Sequence, residues 1–134
     1  MENLTLVGNT PFGVGNELAN LIVGNALSNV LLGGAGNDTL DGGEGLDILW
    51  GQDGADTFRI TSGTGLDIIA DFQLGIDRLD VSAYGFTSLA QLKGQMVQVG
   101  TDIALNLDNG DQVILIGVNA ANLGAADVVL RVGG

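Results

Sequence analysis

Between residues 15 and 80 a large apolar side chain recurs every nine positions. The series runs Ile22, Leu31, Leu40, Leu49 and Phe58, then Ile69 and Leu79 after short insertions at Ile60–Thr61 and Asp71. Each sits near the end of a short run that alternates in polarity or is wholly apolar, and each run follows a stretch rich in Gly, Asn and Asp. Alternation with a period of two predicts strands whose recurring apolar residue points one way while its neighbours point the other. Strands this short cannot fold alone. Two units are therefore expected to form one coil of a flattened parallel solenoid, with the recurring residues inside and the Gly-rich turns stacked along both edges.

The most regular units are GGAGNDTLD (33–41), GGEGLDILW (42–50) and GQDGADTFR (51–59), with Gly first and fourth, Asp sixth and the apolar residue eighth. Two earlier units, GNELANLIV (15–23) and GNALSNVLL (24–32), carry Asn20 and Asn29 at the sixth place and read as an extension of the solenoid without ions. Two later ones, SGTGLDIIA (62–70) and FQLGIDRLD (72–80), restore Asp67 and Asp77; Asp71 between them reads as either an extra ligand or a turn residue. Residues 1–14 hold an alternating strand and a turn at Asn9–Pro11, expected to cap one end. Residues 81–134 are expected to form a non-repeating C-terminal cap. It has one short helix over 87–93, started by Ser88 with Gln91, strands at 96–100, 102–107, 112–117 and 128–132, and a turn at Asp108–Asn109–Gly110. If successive units alternate between two sheets, one outer face shows Leu21, Val23, Thr39, Asp41, Thr57, Arg59, Arg78 and Asp80. The other shows Val30, Leu32, Ile48, Trp50, Ile68 and Ala70, an apolar patch expected to be covered: by the strands at 96–117, which would bury Trp50, or else by an upstream catalytic domain or a second copy of this chain.

The turns suggest a hard cation. Stacked strands lie about 4.8 Å apart, so an ion midway between two turns sits about 2.4 Å of rise from each, inside the calcium–oxygen range of about 2.3–2.6 Å. Carbonyls from glycines such as Gly34, Gly36, Gly43, Gly45, Gly51 and Gly54, with the carboxylates of Asp38, Asp47, Asp56, Asp67 and Asp77, would supply the oxygens. Same-edge turns alternate, which pairs Asp38 with Asp56, Asp47 with Asp67, and Asp56 with Asp77. Magnesium fits this spacing less well, and the absence of His and Cys removes zinc's preferred ligands.

Composition narrows the function. The 134-residue chain carries 23 Gly and a net charge of −12, so without a cation its clustered carboxylates repel and its short strands have little else to hold them. Four basic residues argue against a nucleic-acid partner. No run approaches a membrane span, and the opening MENLTLVG lacks the parts of a cleavable signal. Without His or Cys, catalytic triads, zincin sites and thiol nucleophiles are excluded, and Glu17 and Glu44 fail the EF-hand spacing.

The nonapeptide, together with Asp67–Ser82 (DIIADFQLGIDRLDVS), resembles secreted RTX (hemolysin-type) proteins: the C-terminal domain of serralysin-type metalloproteases and the R-modules of mannuronan C5-epimerases. The resemblance implies an all-β, right-handed parallel β-roll that binds several Ca2+ ions and folds on binding them outside the cell. It also implies export by a type I secretion system, with Asp127–Leu130 similar to the ending of such signals, and a catalytic or effector domain upstream in a parent protein. Two other functions fit: binding of an anionic polysaccharide, for which Arg59 and Arg78 on neighbouring rungs are the candidates, and a structural repeat of a surface-layer or adhesive protein.

Overall fold

The computed structural model describes residues 2–5, 12–25, 28–60, 65–107 and 110–130. The turn expected at Asn9–Pro11, most of that at Asp108–Asn109–Gly110, and residues 131–134 lie outside these. Two sheets face each other. The first has six strands in the order β1 (Glu2–Thr5), β3 (Asn20–Val23), β5 (Thr39–Asp41), β7 (Thr57–Arg59), β9 (Arg78–Asp80) and β13 (Val128–Val129). The second has seven: β10 (Met96–Val99), β11 (Asp102–Asn106), β12 (Gln112–Leu115), β8 (Leu66–Ile69), β6 (Leu46–Trp50), β4 (Val30–Leu32) and β2 (Phe12–Val14). Odd and even strands separate up to β9, so the chain crosses from sheet to sheet with each unit and the insertions leave the alternation intact.

Parallel pairing is in register with the repeat: Ile22 lies beside Leu40, Leu40 beside Phe58 and Phe58 beside Leu79, while Leu31 lies beside Leu49 and Leu49 beside Ile69. All seven eighth-place residues are 0% exposed. Each buried side chain of this size stabilises the fold by roughly 1.5–3 kcal/mol. The core continues past the repeats through Ile103, Leu105, Val113 and Leu115, and Phe58 meets Phe72 with ring centroids 5.9 Å apart.

The C-terminal elements form close to where the sequence places them. Helix α1 (Leu89–Lys93) has Ser88 as its N-cap, the Ser88 side chain accepting from the Gln91 N–H. Among the described residues the final strand covers Val128–Val129, and the expected positions 131–132 lie outside them. Among the described residues no helix is long and apolar enough to cross a membrane.

The expected cover over the apolar face is not there. β12 pairs edge-on with β8 in parallel, and β11 and β10 follow antiparallel, so these strands extend the seven-stranded sheet instead of packing on it. After the last coil, β8 offers a row of unpaired N–H and C=O groups, which a pairing strand satisfies and a strand packed face-on would not. The apolar face is lengthened as a result. One aligned row runs Phe12, Val30, Ile48, Ile68, Ile114, Ala104, Val97 across all seven strands. Trp50 beside it is 40% exposed.

Candidate metal-binding turns

The turns fall on two edges. On the first, the sixth-place residues stack as Asn20, Asp38, Asp56 and Asp77; on the second, as Asn29, Asp47 and Asp67. All seven are buried. On each edge a carboxylate accepts from the backbone of the coil before it. The Asn20 N–H donates to Asp38 Oδ1 (2.8 Å), Asp38 N–H to Asp56 Oδ1 (2.9 Å), Asp56 N–H to Asp77 Oδ1 (2.9 Å), and Asn29 N–H to Asp47 Oδ1 (2.8 Å). Asp67 stands beside Asp47 in register.

The second carboxylate oxygen separates the turns into two kinds. In Asp38, Asp47 and Asp56, Oδ2 is buried and has no hydrogen-bond partner. It faces the unit's own first-place glycine so closely that a methyl on Gly33 would sit 2.7 Å from Asp38 Oδ2. Asp77 differs, because its Oδ2 accepts the Gln73 N–H at 2.9 Å. In the asparagine turns the side-chain oxygen is used in the same way, accepting from Asn16 N–H in one and Asn25 N–H in the other, both at 2.9 Å. These three turns are closed by their own side chains.

Burial raises the pKa of these carboxylates. Desolvation lifts Asp56 from 3.8 to about 8, helped by Asp77, Asp38 and Asp71 nearby and opposed by the hydrogen bond from the Asp38 backbone. It lifts Asp47 to about 6, helped by Asp41 nearby and opposed by the hydrogen bond from the Asn29 backbone. Asp38 and Asp77 are raised for the same first reason. A buried carboxylate oxygen lacking a donor is an acceptor for a cation, and oxygen-only turns suit calcium. Among the described residues no three acidic side chains converge on one point, so most ligands in such a site would be backbone carbonyls. The stacked turns present them: a methyl on Gly36 would meet the carbonyl oxygens of Glu17 and Leu18 at 2.9 Å.

Of the glycines expected to contribute, Gly34, Gly36, Gly43, Gly45 and Gly54 have positive φ, and Gly51, a first-place residue, does not. The two oxygens of Asp71 accept the N–H groups of Gly51 (2.9 Å) and Gln52 (2.7 Å). Arg59 and Arg78 lie on the paired strands β7 and β9. Arg59 is bonded to Asp41 at 3.1 Å, and Arg78 lines a cavity of about 220 Å³ with Ala55, Asp56, Thr57 and Ile76.

Two aspartates that the repeat pattern does not single out end the edges. Asp111 accepts from Gly65 N–H (3.0 Å) and Tyr84 Oη (2.9 Å), and Asp127 accepts from the N–H groups of Gly75 and Gly124, both at 2.7 Å. A trace of the repeat marked the first: Gly110, Asp111 and Val113 keep the order glycine, aspartate, apolar.

The model of the RTX calcium-binding nonapeptide repeat matches residues 14–58 in four copies. Over 124 residues the chain is 44% identical to the endo-1,3-1,4-beta-glycanase EglC of Rhizobium meliloti (strain 1021), and over 125 residues 40% identical to ExsH of the same organism. These matches cover 92% of the chain but 24% of each glycanase. Among solved structures, the AlgE6R3 subunit of the Azotobacter vinelandii mannuronan C5-epimerase superposes with a TM-score of 0.70 at 35% identity, covering 94% of this chain and 82% of that one.

Proposed function

Because the chain belongs to the RTX calcium-binding nonapeptide repeat family and is built as a β-roll, we propose that it is a non-catalytic module whose folding is driven by calcium taken up at the Asp38, Asp47 and Asp56 turns. The observation that carries this reading is the set of three buried Oδ2 atoms without partners, each in a turn of the same form. Bound calcium supplies the positive charge that three buried carboxylates otherwise lack. The chain's own part is to gather the oxygens. Turns 18 residues apart in sequence are stacked by β-pairing, Oδ1 of each aspartate is fixed by a backbone N–H from the neighbouring coil, and Oδ2 is left to the ion. Asp67, beside Asp47, contributes to the second-edge site. Asp77 has both oxygens engaged and Arg78 beside it, and acts to close the last turn.

Since the ligands assemble only in the folded roll, binding energy becomes folding energy. In this reading the module leaves the cell unfolded through the type I machinery and folds outside, where calcium is plentiful, as part of a longer secreted protein. The chain spans 24% of each glycanase it matches, and the catalytic or effector domain of the parent lies in the remainder.

A calcium titration followed by circular dichroism tests the reading. The expected result is a cooperative gain of strand signal, with Asp56→Ala raising the calcium midpoint by at least about tenfold and Asn29→Ala leaving it within about twofold. A strand-rich spectrum in chelator that calcium does not change would overturn it.

A further inference from the structure

Whether a turn is open or closed follows from where its second-place N–H goes, and the charge at the sixth place does not settle it. Six units have both positions described. In the three closed ones, Asn16, Asn25 and Gln73 donate into the sixth-place side chain of their own unit. One of those side chains is an aspartate, Asp77. In the three open ones the same N–H is taken elsewhere: Gly34 donates to Gln52 Oε1 (2.9 Å), Gly43 to Asp41 Oδ1 (3.0 Å) and Gln52 to Asp71 Oδ2 (2.7 Å). The backbone agrees. The second-place residues of the open turns have positive φ (84°, 75° and 65°), and those of the closed turns do not.

On the first edge these bonds form a relay. Asp71 holds the Gln52 N–H and Gln52 holds the Gly34 N–H, so two carboxylates, Asp56 and Asp38, keep an unpartnered oxygen. Gln52 is the one non-glycine with positive φ among the described residues, a conformation that costs a side-chain-bearing residue of the order of 1–3 kcal/mol unless its surroundings impose it. Here Asp71 accepts from both the Gly51 and the Gln52 N–H groups.

Resting on the calcium-binding reading above, we propose that Asp71 is a positioning residue for the metal site: it does not ligate the ion but holds Gln52 left-handed, keeping the Gln52 N–H off Asp56 and the turn open. Without it the turn relaxes to the form seen at Gln73–Asp77, where the backbone itself occupies the aspartate.

The test is a cycle of Asp71→Ala, Gln52→Gly and the double variant, read by isothermal titration with calcium and by circular dichroism in saturating calcium. Asp71→Ala is expected to weaken calcium binding at this turn by about tenfold or more. Gln52→Gly takes positive φ without strain but also removes the side chain that holds the Gly34 N–H, so the double variant is expected to bind calcium within roughly threefold of the Gln52→Gly single variant, the remainder being the lost carboxylate charge. If Asp71→Ala fails to fold, recovery of the folded spectrum in the double variant supports the proposal in the same way. Unchanged affinity in Asp71→Ala overturns it, as does an equal loss when Asp71→Ala is added to Gln52→Gly, the result expected of a direct ligand. A parent chain that binds no calcium sinks the calcium reading itself, an outcome separate from both.

Discussion

An unpartnered carboxylate oxygen in a protein interior is stable as an acid and costly as an anion, and three such oxygens make the metal-free fold sensitive to pH. Asp56 at about 8 and Asp47 at about 6, with Asp38 also raised, bind protons more tightly when folded than the 3.8 expected of the unfolded chain. The sign follows from linkage: the folded state holds the extra protons, so the stability they contribute is full below 3.8 and is lost as pH rises through 6 to 8. In chelator, circular dichroism is therefore expected to show more strand signal near pH 4.5 than near pH 8. In saturating calcium the order should reverse, because the ion requires ionised carboxylates. Equal strand signal at the two pH values in chelator would show that these groups are not buried without partners. At this scale the sequence marked the sixth-place aspartates, but it could not rank them. Asp38 and Asp77 look alike in the repeat and differ in the structure, because the residue before the turn's centre is a left-handed Gly34 in one and Gln73 in the other.

At the scale of the strand, each strand is two to five residues long and owes its stability to its neighbours. Phe58 is fully buried between Leu40 and Leu79 and touches Phe72, so Phe58→Ala should cost about 3–5 kcal/mol in calcium-saturated unfolding. Arg59→Ala on the same strand removes only a partly exposed ion pair with Asp41 and should cost about 1 kcal/mol or less. Comparable losses from the two would mean that the inward and outward sides of β7 are misassigned. These assignments were legible beforehand because strand alternation is local: once the eighth place is apolar, the seventh and ninth must face the other way. Of the ends of the edges, only a trace of the repeat marked Asp111, and nothing marked Asp127. Asp111 lies 46 residues from the Gly65 amide it binds, and Asp127 lies 52 residues from Gly75.

For the whole molecule, the extension of one sheet by β12, β11 and β10 leaves an apolar face with Phe12, Trp50 and Val97 exposed. Trp50 fluorescence in the calcium-loaded monomer is accordingly expected to be quenched readily by acrylamide; strong protection would mean that some part of this chain covers the face. The nine-residue period by itself determined the solenoid, the alternation between two sheets, the inward residues and the edges on which the acidic turns stack, since each follows from spacing within one or two units. Only the tertiary structure decided that the C-terminal strands pair with β8 instead of covering the sheet, because an open edge and an open face both invite a strand and only the edge leaves backbone groups unsatisfied. It also decided which aspartates keep a free oxygen. The acceptors that divert the second-place N–H on the first edge come from the coil above, 18 residues away for Gln52 and Gly34 and 19 for Asp71 and Gln52, so they meet only when the roll has formed.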